Sequence, residues 1–240
     1  VKAGPFSAPL SRSSCLMASD QGGQVLLYSY WRSSSAYRVR IALNLKGIDY
    51  EQKFVHLVKD GGEQNTPGYR EVNPLGLVPA LVHGGRVVTQ SLAILEYLDE
   101  KFPANPLLPA STPLRALARS MAMTIAADIH PLNNLRVQQY LKGRLRVSSE
   151  DSVTWMNHWV SLGFQALEVQ LSTSPDTGWC CIGDEPGLVD CLLVPQVYNA
   201  ERFNCDMSPF PWIRKIVAHC RALPAFQAAE PSAQPDAVAH

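Results

Sequence analysis

Val25-Leu26-Leu27-Tyr28-Ser29-Tyr30-Trp31-Arg32-Ser33-Ser34-Ser35-Ala36-Tyr37-Arg38-Val39-Arg40-Ile41-Ala42-Leu43 is the run on which the fold turns. Residues 25–30 are apolar and aromatic and read as a strand, and the three hydroxyls open what reads as a helix near 35–47. A strand that breaks straight into a helix start makes an anion site. The first turn leaves backbone N–H groups unpaired, and the macrodipole places partial positive charge there. Hydroxyls at that point either cap the helix or donate to a bound thiolate or carboxylate. The residues alone leave both readings open.

Outward from this run, the elements alternate. A second strand is expected from Tyr50 to Leu57, then a polar stretch, Val58–Asn73, holding Asp60-Gly61-Gly62-Glu63-Gln64. Two short strands, Ala80–His83 and Arg86–Thr89, flank Gly84-Gly85, a pair suited to a tight hairpin. A helix from Ser91 to about Lys101 closes the unit. The order βαβ then ββα is that of a thioredoxin-like sheet. Phe102–Pro109 is proline-rich and reads as a linker.

Beyond it the periods are helical. Met156, Val160, Phe164, Leu167 and Leu171 recur three and four apart, which makes one buried face. Leu114–Tyr140 is a long helical stretch interrupted by Pro131, and Leu188–Phe203 and Trp212–Ala222 follow. The expected fold is an α/β thioredoxin-like N-terminal domain (24–106) plus an all-α C-terminal domain (112–232), with a tail at 233–240. Residues 1–23 are rich in Ser, Ala, Gly and Pro, carry Lys2 and Arg12, and hold no acid before Asp20. A transit peptide has that look. Met17-Ala18-Ser19 resembles a natural start, so the segment is read as upstream sequence and set outside the fold.

Composition narrows the partner. The 240 residues carry 21 basic and 21 acidic side chains, so nucleic acid and an anionic membrane are excluded as the main partner, and any positive site is local. No apolar run approaches the roughly 20 residues of a membrane span. The six cysteines form no Cys-x-x-Cys pair. Neither a metal site nor a disulfide framework is expected, and a reducing, cytoplasmic setting is.

Several local runs resemble the cytosolic glutathione transferase family. Val78-Pro79, before the strand at Ala80, is similar to the family's cis-proline, where the preceding backbone pairs with glutathione as an added strand would. Gln90-Ser91 resembles the pair that holds the γ-glutamyl carboxylate. The run Ser33–Leu43 is similar to the zeta-class signature, with Ser35 where the usual form has Cys. Lys59-Asp60-Gly61-Gly62, Ile129-His130-Pro131-Leu132-Asn133-Asn134-Leu135-Arg136 and Val194–Phe203 also resemble that class. The ordered set spans Val25 to Pro235.

The resemblance implies glutathione as cofactor and a glutathione-dependent cis–trans isomerase acting on maleylacetoacetate in tyrosine and phenylalanine breakdown. Maleylpyruvate isomerisation, or transfer to small α-halo acids, are the alternatives, and a catalytically silent binding protein is a further one. A homodimer is implied too. Ser33 and Ser34 are the candidate catalytic donors, Ser33 first. Lowering a thiol pKa of about 8.5 by two units takes about 2.7 kcal/mol, which one hydroxyl donor and a helix dipole supply. Ser33, Ser34, Ser35, Arg38, Gln64, Val78, Gln90, Ser91, His130, Asn134 and Arg136 are the candidate glutathione contacts. Arg32 and Arg202 resemble the arginines that fork onto a diacid substrate, a task suited to a planar bidentate donor. One departure concerns folding: Gly187 stands at the cap where the family carries Ser or Thr before Asp190, a change expected to cost a few tenths of a kcal/mol.

Overall fold

The structure, a computed structural model, describes residues 23–237. The leader expected at 1–23 lies outside the described residues except for Gly23. Strand β1 (Val25–Ser29) runs parallel to β2 (Tyr50–Phe54) and antiparallel to β3 (Ala80–His83), which pairs antiparallel with β4 (Arg86–Thr89). The sheet order is β2-β1-β3-β4. Gly84 and Gly85 both adopt positive φ, 55° and 74°, as a two-residue hairpin turn requires. Helix α1 (Ser34–Lys46) joins β1 to β2, α2 (Pro67–Val72) precedes β3, and α3 (Ser91–Lys101) follows β4.

β2 is shorter than expected, ending at Phe54 instead of Leu57. Its partner β1 ends at Ser29, whose carbonyl accepts from Val55 N at 2.9 Å. Past that point no strand lies alongside, and the His56 amide donates to Glu63 Oε2 at 2.7 Å instead. The linker is fastened: the buried ammonium of Lys46 donates to Asp99 Oδ1, Ala104 O and Asn105 O, while Leu107 N donates to that same Asp99 oxygen.

The second half is helical: α4 (Thr112–Met123), α5 (Leu135–Gly143), α6 (Ser149–Thr173), α7 (Leu188–Arg202), α8 (Pro211–Arg221) and α9 (Pro224–Ala229). The single stretch expected over 114–140 is divided. After α4 the chain widens into a π-helical turn (Thr124–Ile129), tightens into a 3-10 turn (His130–Asn133), and restarts at Asn134, whose side chain caps α5. Pro131 lacks the N–H that would continue the helix. On α6 the five expected core residues are all buried. Its Ser148 cap accepts from Asp151 N at 2.9 Å.

One hydrophobic core runs through both halves, from Leu27, Ile41 and Leu81 to Phe164, Val194 and Ile213. α1 packs on α7 and α9 as well as α3, with Tyr37 edge-on to Tyr198 at 6.2 Å. At the start of α7, the buried carboxylate of Asp190 accepts from Gly187 N at 2.9 Å and Cys181 N at 3.0 Å. A Cβ on Gly187 would meet the Leu107 carbonyl at 2.8 Å, so glycine there answers a close backbone approach. The segment expected as a tail is also held: Gln234 is buried and Asp236 accepts from Trp31 N at 2.9 Å.

Candidate active site

A cleft of about 290 Å³ opens where the loop after β1 meets the 3-10 turn and the start of α5. Ser33, Ser34 and Ser35 line it from the start of α1. Ser33 is the N-cap, and its Oγ accepts from Ala36 N at 3.2 Å. This fulfils the capping reading without displacing the catalytic one: a capping hydroxyl uses a lone pair, and its proton is left to donate. Ser34 is buried at the first helical position. Ser35 differs from both, since its Oγ lies 2.8 Å from His130 Nε2.

His130 is half-buried, and desolvation first, then Arg38 and Arg136, hold its pKa well below the ordinary value. It is therefore neutral. The hydroxyl of Ser35 and the Asn134 amide at 3.4 Å both approach Nε2, which assigns Nε2 as acceptor and places the ring proton on Nδ1. Asn134 and Arg136 stand beside it at the start of α5 and share the cleft wall.

A smaller cavity of about 120 Å³ adjoins, sharing Ser35, Val78 and His130 with the cleft. Gln90 and Ser91 line it at the start of α3, and the Val78–Pro79 bond beside them is cis. Gln90 holds φ at 70°, a costly conformation for a non-glycine residue and one found where a binding geometry is over-determined. Arg38 lies fully buried beneath, with Nη1 donating to Ser91 Oγ at 3.1 Å. Its Nε and Nη2 have no partner, and burial lowers its pKa to about 10, which leaves it charged at neutral pH. A buried cation with two idle donors fits an anionic ligand group.

On the far wall, Gln64 donates Nε2 to Leu57 O at 3.1 Å and leaves Oε1 unpaired. Arg202, in the last turn of α7, stacks on Phe203 and Tyr198 at 5.2 and 5.8 Å. Its pKa is lowered by desolvation, then by Arg32 across the cleft. Arg32 rests over the Trp31 ring at 5.2 Å. All the residues expected from sequence thus meet in these two adjoining cavities.

Others were missed. Arg70 lines the cleft, as do Asn133, buried with both amide atoms unpaired, and Asn199, whose Oδ1 is unpaired. Asn133 and Asn199 lie inside the runs already quoted, so their place in those motifs was the available signal. Arg70 carried none. With Arg32, Arg136 and Arg202 it brings the arginines of the cleft to four, and no carboxylate lines it.

Residues 23–100 match the glutathione S-transferase N-terminal domain family. A probable maleylacetoacetate isomerase of Vibrio cholerae is 51% identical over 213 residues, 89% of this chain and 98% of that protein. A holo maleylpyruvate isomerase, described as a bacterial zeta-class glutathione transferase, superposes with a TM-score of 0.86 at 44% identity, covering 89% of this chain and all of the other. The chain belongs to the zeta class of the glutathione transferases. A maleylacetoacetate isomerase of Methylobacterium extorquens, solved with malonate and glutathione, superposes at 0.85 and 40% identity over 89% of this chain and all of that one. For this zeta-class transferase the smaller cavity offers donors of the kind an anionic ligand group needs, and the α1 N-terminus opens onto the cleft beside it.

Proposed function

We propose that this chain is a glutathione-dependent cis–trans isomerase of maleyl diacids, with maleylacetoacetate as the foremost substrate. The observation that carries this reading is the cleft itself: four arginines, no carboxylate, and a helix N-terminus bearing a hydroxyl with an uncommitted proton. When bound, glutathione supplies the nucleophilic sulfur that adds reversibly to the cis double bond and permits rotation to the trans form. The protein's own residues do the rest. Ser33 donates to the sulfur from the cap of α1, and the free N–H groups of that first turn add field of the same sign. Ser91, backed by Arg38, and Gln90 hold the γ-glutamyl carboxylate, while Gln64, His130, Asn134 and Arg136 line the rest of the cofactor's path.

Arg32 and Arg202 take the two carboxylates of the substrate. Neither is paired with an acid among the described residues, and their mutual repulsion is relieved when a dianion enters between them. The superposition on a maleylpyruvate isomerase supports a second substrate of the same shape, and the sulfur and arginines also suit small α-halo acids. The test is incubation with glutathione and each maleyl diacid, following loss of the cis-enone absorbance. Turnover of either diacid is expected; glutathione binding with no turnover of both would establish a silent binding protein instead.

A homodimer and a cytoplasmic location complete the proposal. Met123 on α4 and Tyr140 on α5 are exposed apolar side chains that a second copy would cover. The five described cysteines are all free and buried, as a reducing compartment allows, and no described helix is long and apolar enough to cross a membrane.

A further inference from the structure

The C-terminal segment reaches back to the loop that carries Arg32 and Ser33. Trp31 N donates to Asp236 Oδ2 at 2.9 Å, a contact spanning 205 positions of sequence. The Trp31 carbonyl accepts from Arg40 Nη2 at 3.1 Å, and the same buried guanidinium donates Nε to Ala229 O at 3.0 Å. Both main-chain polar groups of Trp31 are therefore held by contacts that lead to residues 229–236, one directly and one through Arg40. Gln234 fastens the segment in turn. Its Nε2 donates to Ala228 O and Glu230 O, and its Oε1 accepts from Gln52 Nε2 on β2.

What this strap holds is the platform of the site. The Trp31 ring supports the Arg32 guanidinium at 5.2 Å, and Ser33 N closes the turn onto Tyr30 O at 3.0 Å. Residues 30–33 lie between β1 and α1, outside the ladder and before the first helical turn, so no regular element fixes them. We propose that Asp236 is a positioning residue: by clasping the Trp31 amide it sets the loop that presents Arg32 to the diacid and Ser33 to the sulfur. Its hydrogen bond is to Trp31 N, and its charge also favours the buried Arg40 guanidinium that holds the Trp31 carbonyl. The proposal rests on the roles given above to Arg32 and Ser33. A loop left free must be ordered at each binding event, and a misplacement of about 1 Å in a positioning group can cost about a hundredfold.

The experiment compares D236A and D236N in the full chain, with R32A as reference. It reads amide exchange at Trp31, kcat and KM for a maleyl diacid, and the melting temperature. D236A is expected to speed Trp31 exchange and raise the diacid KM by about tenfold, the scale of one lost charge-assisted hydrogen bond. D236N keeps an acceptor oxygen and should restore both to within about threefold. Q234A, which loosens the strap away from the loop, carries the same expectation at smaller amplitude and serves should D236A fail to fold. Wild-type Trp31 exchange or wild-type diacid KM in a folded D236A overturns the proposal, as does failure of D236N to rescue. If R32A itself leaves the diacid KM unchanged, it is the role of Arg32 that fails, and Trp31 exchange still decides the role of Asp236.

Discussion

Replacing Ser33 by Ala removes two things that the structure allows to be separated. The Oγ lone pair accepts from Ala36 N at 3.2 Å and caps α1; its loss should cost about 1 kcal/mol, or about 2–4 °C in melting temperature for a chain of this size. The hydroxyl proton, which the cap does not use, is assigned to the glutathione sulfur. A hydrogen bond to a charged group is worth about 1.5–3 kcal/mol, and at 1.36 kcal/mol per unit the bound thiol should become weaker by about 1–2 pKa units. Turnover should fall by about one to three powers of ten, as when one preorganised donor is lost. Ser33→Asp divides the effects, because Asp caps as well as Ser but offers no proton and adds like charge. It should melt no lower than wild type yet raise the thiol pKa beyond that of Ser33→Ala. The assay is thiolate absorbance of the saturated complex, titrated from about pH 5 to about pH 9, below and above the free thiol near 8.5. An unaltered titration in Ser33→Ala, with full saturation by glutathione, would remove the hydroxyl from the mechanism. A titration of the wild-type complex indistinguishable from free glutathione would remove the helix start as well.

Three further expectations follow from the same contacts. Arg202→Ala should raise KM for diacids by about tenfold or more while a neutral diester is handled nearly as before, and Arg202→Lys should recover only part of the loss because it cannot fork; an equal loss on both substrates would refute the carboxylate clamp. His130 is held neutral in the fold but ionises near pH 6.5 when unfolded, so the unfolded state binds the extra proton and stability should fall as pH drops below that value. The slope is at most about 1.4 kcal/mol per pH unit from this group, and denaturant midpoints of His130→Gln between about pH 7 and about pH 5 should be flatter than those of wild type. Gly187→Ser restores the family's capping hydroxyl, yet its Cβ would meet the Leu107 carbonyl at 2.8 Å; a net loss of about 1 kcal/mol is expected, and a gain in melting temperature would refute the crowding argument.

Most of the fold was legible because its signals are local. β1 and β3 are short apolar runs, and the α6 core face repeats at helical spacing from Met156 to Leu171. The end of β2 was not legible, since it depends on where β1 stops. Nor was the π-helical turn before His130, a packing solution with no composition of its own. The residues that line the two cavities could be named from motifs, but Arg70 and the hydrogen-bond partners among them could not. Gln90 shows its positive φ only in the backbone, and Gly187 reads as a weakened cap in sequence although the Leu107 carbonyl lies where its Cβ would be.

The three serines at the head of α1 are the sharpest case. Sequence offers three adjacent hydroxyls, with Ser33 ahead of Ser34 as donor, and an anomaly, Ser35 in place of Cys. In the fold Ser35 faces His130 at 2.8 Å, and the Asn134 amide, which can only donate, approaches the same Nε2, so Nε2 accepts and the Ser35 proton is committed to it. A thiol at that position would be a weaker donor to the same nitrogen. The substitution therefore bears on the anchoring of the 3-10 turn and not on the Ser33 cap. Ser34 is buried inside the first turn. Ser33, partly exposed at the cap and lining the cleft with its proton uncommitted, is the hydroxyl we propose for the ligand's sulfur. If Ser35→Ala rather than Ser33→Ala moved the thiol titration, this ordering of the three would be wrong.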